Sequence, residues 1–217
     1  MDESIIKEKV MNAIRHALIN KDKIIAESKQ DVDEDCFTPL SDEIEVDFVQ
    51  NFISNGGKFV LCEDKYDLLL KLSETAEEQK WNSITCCSKA IKEILTAAEL
   101  PFDENITDFS SINVGITFCE CLIARYGSIL VSSKLDKNDV KIASLSNQHV
   151  VIAQIDQVVP DIKTALMWVK QKYSNSLPNS MTMITGLSKT DNVEKKFIAG
   201  GQGPKSLLLF LVNGKII

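Results

Sequence analysis

Few residues in this chain are equipped for chemistry, and their spacing restricts what they can do. The cysteines are Cys36, Cys62, Cys86, Cys87, Cys119 and Cys121. None forms the C-x-x-C pair on which iron–sulfur clusters and structural zinc sites usually draw. They also lack the look of a disulfide framework, which belongs to short, cysteine-dense secreted chains. They read as free thiols packed like small hydrophobes. Cys119 and Cys121 alternate, so on a strand they face one side. His16 and His149 are the only histidines, too few for a three-histidine metal site. His149 heads an apolar run and reads as structural.

Three polar stretches remain. In Thr185-Gly186-Leu187-Ser188-Lys189-Thr190-Asp191-Asn192-Val193-Glu194, a glycine, hydroxyls and a lysine follow a strand-like run. Backbone N–H groups, hydroxyls and an ammonium suit a small anion. The spacing is not that of a P-loop, which needs a second glycine and a differently placed lysine. N-capping by Ser188 or Thr190 is the plainer use. Ala199 to Lys205 places Gly200, Gly201, Gln202, Gly203 and Pro204 between two strand signals. Those glycines serve a turn or a close approach to a ligand. Ala124-Arg125-Tyr126-Gly127-Ser128 precedes a buried strand. Glu120 and Glu194 are the nearest carboxylates.

The elements that must position these residues alternate between helix and strand. An amphipathic helix over 4–26 carries Ile6, Val10, Ala13, Ala17 and Leu18 on one face. Asp31, Asp33, Glu34 and Asp35 then mark a solvated linker. Two units follow from this: residues 1–40 as helix and linker, and 41–217 as one α/β domain. Ser41 is placed to cap a helix bearing Ile44, Phe48, Phe52 and Ile53, which Asn55-Gly56-Gly57 ends. Strands are predicted at 58–62, 83–87, 111–118, 127–132, 149–155, 181–185, 197–199 and 207–212. Helices are predicted around Tyr66 to Leu72, from Ser88 to Ala98, and from Pro160 to Tyr173 with Ile162, Leu166, Val169 and Tyr173 as its core stripe. Short apolar runs alternating with helices imply crossovers and a mainly parallel sheet.

The chain has 217 residues and a net charge of −7. That charge argues against nucleic acid, whose binders present a basic face. No apolar run reaches the roughly 18 residues of a membrane span. The charged N-terminus does not resemble a signal peptide. The expectation is a reduced, cytoplasmic protein without a metal or other cofactor.

Taken in order, the three stretches resemble the LUD-domain family. Ile184 to Glu194 is similar to the family's Ile-Thr-Gly-Pro-Ser-Arg-Thr-Ala-Asp-Ile-Glu. Gly200 to Lys205 is similar to its His-Gly-Pro segment, and Ala124-Arg125-Tyr126-Gly127 to its Ala-Glu-Thr-Gly. The resemblance covers Asp42 to the C-terminus and implies a NagB/RpiA/CoA-transferase-like fold, with a mixed, mainly parallel sheet flanked by helices. It also implies an accessory role in oxidising L-lactate to pyruvate beside iron–sulfur subunits, with a small anionic ligand. The residues carried over as ligand-binding are Thr185, Gly186, Ser188, Lys189, Thr190, Glu194, Gln202, Gly203 and Arg125. Three departures change the chemistry. Arg125 stands where the family has Glu and cannot accept a proton. Gln202 stands for His and does not titrate near neutrality. Asn192 stands for Asp. The surviving set binds an anion better than it moves protons. The alternatives are a free-standing acyl/CoA- or sugar-phosphate-handling enzyme of the same fold, or a divergent, non-catalytic binding protein.

Overall fold

The computed structural model describes residues 40, 41, 43–103, 109, 112–187, 189–191, 197–199 and 203–216, together with Asn12 and Arg15. The predicted amphipathic segment and acidic linker lie outside the described residues, apart from Asn12 and Arg15. Both of these are helical, and Arg15 donates to Glu63 at 2.5 Å.

In chain order the elements are α1 (Ile44–Ser54), β1 (Lys58–Cys62), α2 (Lys65–Glu78), β2 (Ile84–Thr85), α3 (Lys89–Ala97), β3 (Val114–Phe118), β4 (Cys121–Ile123) and β5 (Ser128–Ser132). Then come α4 (Asp139–Leu145), β6 (Gln148–Gln154), β7 (Val158–Val159), α5 (Ile162–Lys172), β8 (Met181–Ile184), β9 (Lys189–Asp191), β10 (Phe197–Ala199) and β11 (Ser206–Val212). Single 3-10 turns occupy Ala124–Tyr126 and Ile155–Gln157.

The main sheet has the order β1-β11-β6-β3-β2, and every neighbouring pair is parallel. β6 and β11 lie inside it and are apolar on both faces, as their unbroken apolar runs require. Val150, Ile152, Leu208 and Phe210 meet Leu68 and Leu72 of α2 and Ile91 and Leu95 of α3 on one face. Val151, Ala153, Leu207 and Leu209 meet Phe48 and Phe52 of α1 on the other. That second core also takes in Leu122, Ile129 and Val131, the inner face of a second sheet. Its order is β7-β4-β5-β8, mostly antiparallel. Helix α5 closes its outer face, with Ala165 and Val169 against Cys121, Ile123 and Leu130. The fold is the expected mixed α/β arrangement, but the predicted strand at 127–132 belongs to the second sheet.

Several local expectations change. The N-cap of α1 is Glu43, and the Ser41 hydroxyl donates to the Glu43 carbonyl. Pro160 lies two residues before α5, whose first turn is capped by the Asp161 carboxylate accepting from Thr164 N–H at 2.8 Å. The core of α5 is Ala165 and Val169, while Ile162 and Leu166 are exposed. Cys119 and Cys121 pack into different cores, because the chain leaves β3 before β4 begins. At the end of α1, Gly56 adopts φ +86 and the helix closes with Gly57 N–H donating to Phe52 O at 3.0 Å. This is the glycine stop that the sequence suggested.

Candidate functional site

Of the predicted ligand residues, Arg125 and Gly186 are positioned around the C-terminal turns of α1. Asn51 Nδ2 donates to the carbonyl of Ala124 at 2.9 Å, and Asn55 Nδ2 donates to that of Tyr126 at 2.8 Å. These bonds fix the Arg125 turn. Gly127 follows at φ +57, where a Cβ would sit 2.2 Å from the Phe52 nitrogen. Only glycine lets the turn rest on α1 this closely. The Arg125 N–H donates to Pro160 O at 3.1 Å. Its side-chain charge helps hold the Asp161 carboxyl below its ordinary pKa, behind the larger effect of the hydrogen bonds from Thr164. Thr185 Oγ1 lies 2.6 Å from Ser128 Oγ. Gly186, at φ +73, packs against Asn55, whose carbonyl would stand 2.3 Å from an added Cβ.

Arg125, Thr185 and Gly186 are therefore brought together. Lys189 and Thr190 are not in a loop: they belong to β9, paired antiparallel with β10 through Lys189↔Ala199 and Thr190↔Ile198. Gly203, at φ +145, precedes Lys205, whose N–H donates to Asn147 O at 2.8 Å. Ser188, Glu194 and Gln202 lie outside the described residues. The turn at Gly56 leads into the start of β1, and Gly203 leads into the start of β11. Of the predicted set, Gly186, beside Asn55 at the end of α1, and Gly203 thus lie toward the amino-terminal edge of the main sheet.

Open parallel sheets usually hold ligands beyond the opposite, carboxyl-terminal edge. There a cleft of about 490 Å³ lies between the ends of β3 and β6 and helix α5. Glu120, Gln154, Asp156, Gln157, Trp168 and Lys172 line it. Glu120 is 0% exposed. Its Oε1 accepts from Ser132 Oγ at 2.5 Å and from Tyr173 OH at 3.0 Å, and its Oε2 accepts from Lys172 Nζ at 2.8 Å. Burial works against the Lys172 charge. The hydrogen bond and negative charge of Glu120 outweigh it and hold the ammonium above its ordinary pKa. Burial, then Glu120, raises the Tyr173 hydroxyl likewise. Gln157 locks the wall, with Nε2 donating to Cys119 O at 2.9 Å and Oε1 accepting from Gln154 N–H at 2.7 Å.

Sequence reasoning named Glu120 without giving it a role, and passed over Ser132, Lys172 and Tyr173. The available signal was a lone glutamate inside the apolar run from Val114 to Ile123, since burying a charge is tolerated only with partners. Those partners come from β5 and the end of α5, up to 53 residues away in sequence.

The remaining reactive groups are quiet. Burial pushes the Cys62, Cys86 and Cys121 thiols up to about 12 and Cys119 well above its ordinary value; Cys87 is also raised by burial. Thiols, unlike thiolates, are poor nucleophiles and poor metal ligands. Burial lowers His149 to about 3, and its Nε2 lies 2.8 Å from Thr117 Oγ1. It is a neutral core histidine. Among the described residues, no three His, Cys, Asp or Glu side chains are grouped to hold a metal ion, and no helix is long and apolar enough to cross a membrane.

The architecture has a solved counterpart. The crystal structure of a DUF162 family protein from Deinococcus radiodurans matches with a TM-score of 0.60 at 16% identity, covering 81% of this chain and 100% of that one. At that identity the likeness is one of fold. Residues 46–212 match the sequence model of the LUD domain, and the chain belongs to the LUD-domain family. Lactate utilization protein C of Bacillus licheniformis is 27% identical over 115 residues, covering 52% of this chain and 48% of that protein. Its Bacillus subtilis counterpart is 28% identical over 115 residues, with the same coverage. The chain spans about half the length of the curated relatives it matches.

Proposed function

We propose that this LUD-domain chain is an accessory, ligand-binding subunit of an L-lactate-oxidising system, acting in the cytoplasm beside iron–sulfur subunits that carry the electrons. The observation that supports it best is the state of its reactive groups. The five described thiols are held protonated by burial and His149 is held neutral in the core, which fits a subunit that binds rather than one that carries electrons through its cysteines. The likeness to lactate utilization protein C supports the choice of this system. In this reading Arg125, Thr185, Gly186, Ser188, Lys189, Thr190, Glu194, Gln202 and Gly203 form the region that takes a small anion.

The test is growth on L-lactate of a Bacillus subtilis strain deleted for its lactate utilization protein C and supplied with this chain. Restored growth, reduced by Lys189→Ala, is the expected result. Failure of the well-expressed chain to restore any growth sinks the assignment to that system.

A further inference from the structure

Large apolar side chains left in solvent gather in one stretch of the chain, from α5 to β8. Ile162 and Leu166 of α5 and Met181 and Met183 of β8 are each between 37% and 47% exposed. The strand register sets them side by side. Met183 pairs with Leu130 of β5, and Met181 with Ser132. Directly paired residues point to the same face of a sheet, and successive residues alternate. Leu130 packs against Ala165 and Val169, so Met181 and Met183 stand on the face that carries α5. Trp168 and Lys172, on one flank of α5, line the cleft with Asp156 and Gln157, which lead into β7 at the far edge of this sheet. At helical spacing Ile162 and Leu166 fall on the other flank, toward β8.

Strand β8 ends the order β7-β4-β5-β8 and pairs only with β5 among the described residues. Its outer edge offers backbone donors and acceptors to a further strand. Native proteins usually guard such an edge with lysine, proline or a bulge. Met181-Thr182-Met183-Ile184 contains no charge and no proline. An open edge beside an apolar strip suits strand addition, in which main-chain hydrogen bonds hold the partner and its alternate side chains fill the strip.

Charge selects the kind of partner. Helix α5 bears Lys163, Lys170 and Lys172 and no acidic residue, in a chain of net charge −7. Lys163 and Lys170 are the helical neighbours of Leu166 and border the strip. A second copy related by a two-fold axis would bring these like charges together. A lipid surface would leave the strand edge unpaired. An acidic protein segment satisfies both the edge and the lysines.

We propose that the open edge of β8 and the adjoining flank of α5 form a docking surface for an acidic, extended segment of a partner protein with apolar residues at alternate positions. The segment adds as a strand beside β8. Its apolar side chains rest on Leu166, Met181 and Met183, and its acids come within reach of Lys163 and Lys170. The chemistry of this surface is independent of the lactate system.

The experiment selects binders for the immobilised full chain from a displayed library of random peptides of about ten residues, long enough for one strand. The enriched peptides should alternate apolar residues and carry net negative charge. Their affinity should fall by about tenfold or more with Met183→Lys, and likewise with Lys163→Glu and Lys170→Glu together. All three positions are exposed, so the variants keep the fold. Binding should also slow hydrogen exchange within Met181–Ile184. The proposal is overturned if no peptide is enriched, if the enriched peptides lack the acidic, alternating pattern, or if Met183→Lys leaves their affinity intact. It gives way to a second copy if the wild type sediments as a dimer that Met183→Lys separates. It gives way to a membrane if phosphatidylserine vesicles bind the chain and Leu166→Glu releases them. None of these results depends on whether the chain restores growth on L-lactate, so the two readings fail separately.

Discussion

Glu120 and Asp139 each bury a whole carboxylate, one just beyond β3 and the other in the first turn of α4. Glu120 receives a hydroxyl from β5, a phenol and an ammonium from the end of α5. Neither oxygen of Asp139 has a hydrogen-bond partner among the described residues. Burial, aided by Asp136, raises the Asp139 pKa to about 8. One acid is surrounded by donors and the other is left to hold its proton. Full burial of a carboxylate therefore does not by itself mark a working site. At Glu120 the fold supplies donors, and one of them, Lys172, lines a cleft.

The largest expected effect breaks the satisfied side of this comparison. Lys172→Met leaves Glu120 with neutral donors only. It should cost about 3 kcal/mol in urea unfolding at pH 7, the low end for a broken buried pair because the lysine is partly exposed. A loss below about 0.5 kcal/mol, as for an ordinary surface pair, would show that Glu120 does not rely on it.

Asp139 gives the opposite sign. Its folded pKa is raised above the ordinary unfolded value of about 3.9. Its contribution is therefore complete below about pH 4 and is lost as pH rises toward 8. Asp139→Asn should be more stable than the wild type by about 2 kcal/mol at pH 8 and should lose that advantage at pH 4. An advantage that does not change with pH would contradict the assignment.

His149 works in the other direction. Its pKa falls from about 6.5 unfolded to about 3 folded, so its contribution is complete above about pH 6.5 and drains away in acid. The wild type should lose up to about 1.4 kcal/mol per pH unit relative to His149→Gln between pH 6 and 5. Parallel stability curves for the two proteins would rule this out.

The smallest effect comes from an acid at the surface. Asp161→Ala removes the cap of α5 and should cost about 1 kcal/mol. Ser88→Ala should cost less than about 0.5 kcal/mol, because Ser88 sits at the N-cap of α3 without a side-chain bond. Equal losses at the two positions would remove the distinction.

Legibility followed length and burial. Residues 148–154 and 206–212 were readable as strands because both faces of each strand are buried. β4 and β7 escaped notice because they span only Cys121–Ile123 and Val158–Val159 and draw their pairing from neighbours. Helix α4 also went unread. It has seven residues, and its buried face includes Asp139, a residue that pattern reading assigns to solvent. In the Thr185–Gly203 region the glycines at 186 and 203 were legible as special backbone positions, and both have positive φ. The strand pairing of Lys189 and Thr190 was not, since it depends on a partner strand rather than on their own types.

The amino-acid sequence by itself determined the α/β class, the parallel core strands, the glycine turns and the family resemblance. All of these rest on local propensity, periodic burial and residue order. Tertiary structure alone decided that a second sheet stacks on the first, and that the Arg125 N–H reaches the Pro160 carbonyl. It alone also built the Glu120 cluster from β5, the β3–β4 passage and the end of α5. The physical reason is that a buried charge is set by which donors the fold brings within about 3 Å, and those donors have no fixed spacing along the chain.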